Sequence, residues 1–240
     1  MSEGGKSRRT FVLVHGTSYG GWCWRRVADR LEAMGHKVYT PTLTGVGERS
    51  HLMSASINLD THILDIVNVI LWENLDDVVL CDHSYGGWII SGVVEKILPR
   101  ISSIIFLDAF MPENGQKGLD LNSPQAREAV LTALRDGKVS RPPVPAAYYG
   151  VNEADRAWVD SKTTPQPIGI SLQPIVLTGA RDRVPKKTYV RAHGYVQPNF
   201  DDALAKVKKD PSWRIYELNC GHDVMLDMPD RMIEILLESA

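Results

Sequence analysis

The sequence predicts a doubly wound α/β domain built on a mostly parallel sheet. Three observations carry that expectation. Short apolar runs rich in β-branched residues recur along the chain, segments of helical period separate them, and turn residues close each run. Phe11-Val12-Leu13-Val14 is continuously apolar, as suits a central parallel strand buried on both faces, and it ends at His15-Gly16. Trp24 to Met34 carries apolar residues at helical spacing and stops at Gly35, a C-cap signal. Lys37 to Thr40 is the next strand, closed by Pro41, and Thr61 to Leu71 is a second amphipathic helix. Asp77 to Cys81 and Ser103 to Leu107 read as two further strands. The helix that contains Trp88-Ile89-Ile90 lies between them, and Asp108 follows the second strand directly.

The alternation breaks between about Met111 and Ser171. Pro142, Pro143 and Pro145 cluster there, flanked by helical pieces at Ser123–Asp136 and Asn152–Ser161. A mostly helical insertion at this point falls at the carboxyl ends of the strands, where α/β sheets bind ligands, and reads as a cap over a site. Core strands are expected to resume around Pro174–Thr178 and Thr188–Ala192. A helix over Asn199–Lys209, a last strand over Trp213–Leu218 and a closing helix over Arg231–Leu237 follow. The chain thus reads as a single domain, residues 1–240, with a cap insertion at about 111–171.

Bulk properties narrow the function. A chain of 240 residues, 43% hydrophobic, is long enough for one α/β domain with a full core and short for two. Its net charge of −2 gives no reason to propose nucleic acid or an anionic membrane as partner. Cys23, Cys81 and Cys220 form no C-x-x-C pair, so zinc and redox motifs are absent and reduced thiols are the simpler reading. The segment Met1 to Thr10 has no apolar core of a signal peptide, and no apolar run approaches a membrane span. The expectation is a cytoplasmic protein that acts on a small molecule, with no cofactor and no metal. Oligomeric state stays open, a homo-oligomer included.

The chemistry centres on Asp82-His83-Ser84-Tyr85-Gly86, between a buried strand and a helix. It follows the G-x-S-x-G nucleophile elbow with Asp82 in place of the first glycine. Such a turn lifts a serine hydroxyl to the top of a sheet, where a base can reach it. Ser84 is the candidate nucleophile, and His222, just past the last strand, is the candidate base. Two carboxylates compete for the third role. Asp108 ends the strand after the nucleophile helix, whereas Asp182 precedes the penultimate strand, which is followed by His193-Gly194-Tyr195 and no acid. Position favours Asp108. The oxyanion donors are expected to be the amides of Tyr85 and Thr17, with Gly16 allowing close backbone approach. Trp22 and Trp24 either wall the pocket or pack the first helix. His83 is expected to pack locally, and Asp223, adjacent to His222, is poorly placed to orient it. Asp82 must turn to solvent or be held by hydrogen bonds in the turn.

Several stretches together carry a resemblance. They are Phe11 to Gly16, Gly20-Gly21-Trp22-Cys23-Trp24, Tyr39 to Gly45, Asp60-Thr61-His62-Ile63, His83 to Gly87, Leu107 to Phe110 and Gly221-His222-Asp223. The chain resembles the small α/β-hydrolases related to plant hydroxynitrile lyases and methyl-ester esterases, above all their bacterial esterase-like branch. The resemblance implies the α/β-hydrolase fold and a Ser-Asp-His serine hydrolase. The lyases it resembles carry threonine where Gly16 stands and lysine where Asp223 stands, so both positions favour hydrolysis. The plant members place their acid after the penultimate strand, where this chain has His193 and Gly194. The implied activity is cleavage of a small, largely apolar ester, or of an activated carbamate or amide. The alternatives are a non-catalytic small-molecule receptor on the same fold and a hydroxynitrile lyase.

Overall fold

The computed structural model describes residues 8–240. The segment Met1–Ser7, read above for a leader, lies outside the described residues. Six strands form one parallel sheet: β1 (Thr10–Val14), β2 (Lys37–Tyr39), β3 (Val78–His83), β4 (Ile101–Leu107), and two that follow a long excursion. A two-stranded ribbon, β5 (Ser140–Arg141) and β6 (Gln166–Pro167), belongs to that excursion. The sheet is completed by β7 (Lys186–Ala192) and β8 (Trp213–Leu218), in the order β2-β1-β3-β4-β7-β8. Every neighbouring pair in it is parallel.

Strand alternation explains the continuous apolar runs. Val12, Val14, Leu80, Ile104 and Phe106 face one core, and Phe11, Leu13, Val79, Cys81, Ile105 and Leu107 face the other. Both faces are covered, so apolar residues dominate both sets of positions. The first face is covered by α2 (Leu59–Trp72), α3 (Gly86–Ile97) and, beyond the excursion, a helix at Pro198–Val207. The second is covered by α1 (Arg25–Ala33) and the C-terminal helices at Val224–Asp227 and Pro229–Ser239. This is the α/β-hydrolase architecture that the sequence predicts.

Between β4 and β7 the chain leaves the sheet. It forms α4 (Pro124–Arg135) and α5 (Glu153–Lys162), with the β5–β6 ribbon. The remaining helices are numbered α6 (Pro198–Val207), α7 (Val224–Asp227) and α8 (Pro229–Ser239). Leu119, Val130 and Ile168 give the excursion a small core of its own. Proline at the first turn and Ser123 as N-cap start α4, and Asn152 caps α5.

One expected strand is absent. Pro174–Thr178 joins no sheet. Ile175 exchanges backbone hydrogen bonds with Gly115 and Gln116, and the amides of Leu177 and Thr178 donate to the side chains of Asn114 and Glu95. Its backbone is satisfied by a loop and a helix end, so it needs no ladder. The other expected elements stand within a few residues of their reading.

Helix α3 is seated through glycine. A Cβ on Gly87 would lie 1.9 Å from the Phe110 carbonyl oxygen, whose own amide donates to Ser84 O at 3.2 Å. Gly87→Ala should therefore cost about 3 kcal/mol in urea unfolding, because backbone rather than a flexible side chain must move. A loss below about 1 kcal/mol would contradict this packing.

Candidate active site

The carboxyl ends of β3, β4 and β7 and the loop after β8 converge. Ser84 follows β3 at φ 59°, a left-handed conformation that costs an L-residue energy. Three backbone bonds hold the turn: Ser84 N donates to Leu107 O, and Ser84 O accepts from Gly87 and Phe110, each at 3.2 Å. The hydroxyl is not bonded to His222, a contact that is often loose before substrate binds. Gly16 closes the other side. A Cβ there would meet Ser84 Cβ at 3.0 Å and His83 Nδ1 at 2.9 Å, so the loop after β1 can pass this close only as glycine. The amides of Thr17, on that loop, and Tyr85, at the start of α3, donate to no backbone carbonyl among the described residues.

Asp108 also adopts a left-handed conformation, φ 43°, at the end of β4. Its amide donates to Val190 O at 2.7 Å. The carboxylate is fully buried and accepts three hydrogen bonds. His222 Nδ1 lies 2.6 Å from Oδ2, while Arg191 Nη1 at 2.7 Å and the Ala192 amide at 3.0 Å meet Oδ1. Asp182 is elsewhere. It sits in a turn at the amino end of β7, and about 20 Å of strand separates it from His222. His193 pairs with Glu217 at the surface.

Arg191 is a residue the sequence reading missed. Its buried guanidinium donates to Asp108, Asp201 and the carbonyls of Ala192 and Tyr195. Burial pulls its pKa down, but the bonds to Asp201 and Asp108 outweigh this and hold it above its usual value. The signal was an arginine inside the central-strand pattern Tyr189-Val190-Arg191-Ala192, where a charge needs a buried partner.

His222 is enclosed by rings. Tyr195 lies at 4.7 Å, Tyr149 at 5.4 Å, Phe200 at 5.6 Å and His83 at 4.2 Å between centroids. The His222 amide donates to Tyr149 O, which ties this wall to the excursion. His83 is buried, with Nε2 3.1 Å from His222 O, and burial drives its pKa well down, so it stays neutral. Asp223 is buried too, and burial raises it to about 6. It accepts a hydrogen bond from Tyr19 Oη at 3.1 Å and does not touch the His222 ring nitrogens. Trp24 is a core residue, whereas Trp22 packs edge-on against Tyr19 and against Trp158 of α5.

Asp82 corrects the expectation that it turns outward or is bonded in the turn. It is fully buried, and among the described residues both carboxyl oxygens lack a hydrogen-bond partner. Burial raises its pKa well above the ordinary carboxylate value, because the charged form is desolvated. The crowding falls on Gly86, whose Cβ would lie 2.9 Å from Asp82 Cβ.

Residues 11–235 match the alpha/beta hydrolase family. The chain belongs to that family. A carbendazim hydrolyzing esterase of Nocardioides sp. is 39% identical over 236 residues, covering 94% of this hydrolase and 97% of the relative. A putative chloroplastic methylesterase of Arabidopsis thaliana is 26% identical, covering 97% of this chain and 72% of its own. An extracellular α/β-hydrolase from a Paenibacillus species superposes with a TM-score of 0.83 at 22% identity, covering 97% and 99% of the two chains. Tomato methylketone synthase I superposes at 0.77 and 21% identity, covering 97% of each chain. The relatives support hydrolase and esterase chemistry for this protein, and the solved structures share its fold. Among the described residues no acid, histidine or cysteine cluster could hold a metal ion, and no helix is long and apolar enough to cross a membrane.

Asp82 gives a pH signature. Its folded pKa lies above its unfolded one, so the folded chain retains a proton that the unfolded chain releases. Stability is therefore lost as pH rises above about 4. Asp82→Asn removes that titration. The stability of the variant relative to the parent should rise with pH above about 4, by up to about 1.4 kcal/mol per pH unit, until the folded parent also loses that proton. Urea unfolding across that range measures it, and parallel pH responses of the two proteins would refute the assignment.

Proposed function

We propose that this protein is a cofactor-independent serine esterase acting on a small, largely apolar ester or activated carbamate. The observation that carries the reading is the 2.6 Å bond between His222 Nδ1 and Asp108 Oδ2 beside a serine held at positive φ. That bond fixes the His222 tautomer, leaving Nε2 free to accept a proton. Ser84 Oγ attacks the scissile carbonyl carbon while its proton passes to Nε2. The carbonyl oxygen takes the negative charge and is met by the Thr17 and Tyr85 amides. His222 then protonates the leaving oxygen, the bond to it breaks, and the acyl group remains on Ser84. Water attacks this ester, giving its proton to His222, and the acid leaves with Ser84 restored.

Arg191 acts through Asp108: it occupies the oxygen that His222 does not use, so the carboxylate cannot rotate away. The aromatic rings around His222 exclude water and offer flat apolar contact to the substrate. The esterase names of the relatives support ester cleavage. Asp223 in place of lysine supports hydrolysis over cyanohydrin cleavage.

Ser84→Ala should lower kcat on a 4-nitrophenyl ester by about 10⁶ with the unfolding midpoint unchanged. Full activity in that variant would sink the mechanism. Asp108→Asn should lower turnover by about 10⁴ by leaving the wrong tautomer, with Asp182→Asn near the parent rate. The reverse ranking would reassign the acid.

A further inference from the structure

Two arginines approach the site, and of the two only the Arg191 guanidinium has hydrogen-bond partners among the described residues. Arg191 spends its donors on two carboxylates and two carbonyls. Arg141 stands in β5, where its direct antiparallel partner is Gln166 of β6. Directly opposed residues of an antiparallel pair project from the same face of the ribbon. Gln166 is buried, and its Oε1 accepts from the Ser18 amide at 2.6 Å. Thr164 N donates to Ser18 O at 3.0 Å. The ribbon is thus pinned to the loop that carries Gly16 and Thr17, and Arg141 projects from it toward that loop.

The neighbours of the guanidinium fix its place further. Its charge acts on the hydroxyls of Tyr149, whose ring lies beside His222, and of Tyr85, which follows Ser84. Burial lowers its pKa, and no carboxylate stands near enough to reverse this. The residue is half-buried, and its Nε is fully buried with no hydrogen-bond partner among the described residues. A guanidinium N–H buried without an acceptor is costly. An acceptor on the substrate relieves that cost, and a planar guanidinium fork suits a carbonyl or carboxylate oxygen.

We propose that Arg141 determines specificity by binding a second hydrogen-bond acceptor on the substrate, beyond the scissile carbonyl. The preferred substrates are then esters whose acyl part ends in a ketone or carboxylate oxygen rather than in plain alkyl. This deepens the esterase reading and rests on it.

Three methyl esters of matched length test it: methyl pentanoate, methyl 4-oxopentanoate and monomethyl succinate, followed by acid release in the parent, Arg141→Met and Arg141→Lys. The parent should prefer one or both acceptor esters to methyl pentanoate. Arg141→Met should lose that preference by about 10- to 100-fold in kcat/KM, chiefly through KM, because a hydrogen bond to a charged group is lost. Methyl pentanoate should be cleaved at the parent rate. Loss confined to the succinate ester identifies an anionic acceptor, and equal loss for the ketone identifies a neutral one. Arg141→Lys should retain part of the preference for succinate. An equal fall for all three esters would mean that Arg141 only pins the ribbon, and no change would remove it from the site. Either overturns the proposal. If the parent cleaves none of the three, the esterase reading fails instead. Calorimetry with 4-oxopentanoate and succinate then decides Arg141 separately: tighter binding to the parent than to Arg141→Met supports it, and equal binding or none overturns it.

Discussion

The carboxylate of Asp108 is the point on which the site depends. It ends one strand, bonds the backbone of the next, grips an arginine of that next strand and holds the ring of His222 from the loop after the last one. Three separate parts of the chain are aligned through two oxygen atoms. The charge is buried, and such burial is favourable only when the pairing is complete. Here Arg191 and the Ala192 amide complete it on one oxygen, so the other is left directed at His222. Orientation of the His222 ring is thus a by-product of charge satisfaction in the core.

Backbone strain is concentrated at the same place. Ser84 and Asp108 both take left-handed conformations at the ends of adjacent strands. Neither is glycine, so both carry a cost that surrounding packing must impose. Gly16, Gly86 and Gly87 supply the room: each faces atoms too close to admit a Cβ. Asp82 adds a second cost beneath the elbow, a buried carboxyl group with no hydrogen-bond partner among the described residues. Stability is given up here in exchange for a fixed serine.

The sheet was largely legible because parallel strands buried on both faces must be continuously apolar, as in Phe11–Val14 and Ile104–Leu107. Ser84 and Asp108 stand out as candidates because each directly follows such a run, and His222 because it lies in the loop after the last strand. Pro174–Thr178 misled because it is mostly apolar, and pattern cannot say whether a strand partner exists. Arg191 escaped because an arginine in a strand resembles a surface residue until its carboxylates are known. Arg141 and Gln166 escaped because two-residue strands leave no periodicity. The place of Tyr149 beside Tyr195 and His222 depends on how the excursion folds back, which no local signal records.

The central claim is that Ser84 is an activated nucleophile oriented by His222 and Asp108. Reaction of the folded protein with a fluorophosphonate, followed by peptide mass mapping, tests it most directly. The account predicts one adduct, on Ser84, formed by the folded protein and abolished by urea or by His222→Ala. No adduct, or an adduct on another residue at the same rate, would contradict it and leave a binding protein on a hydrolase fold.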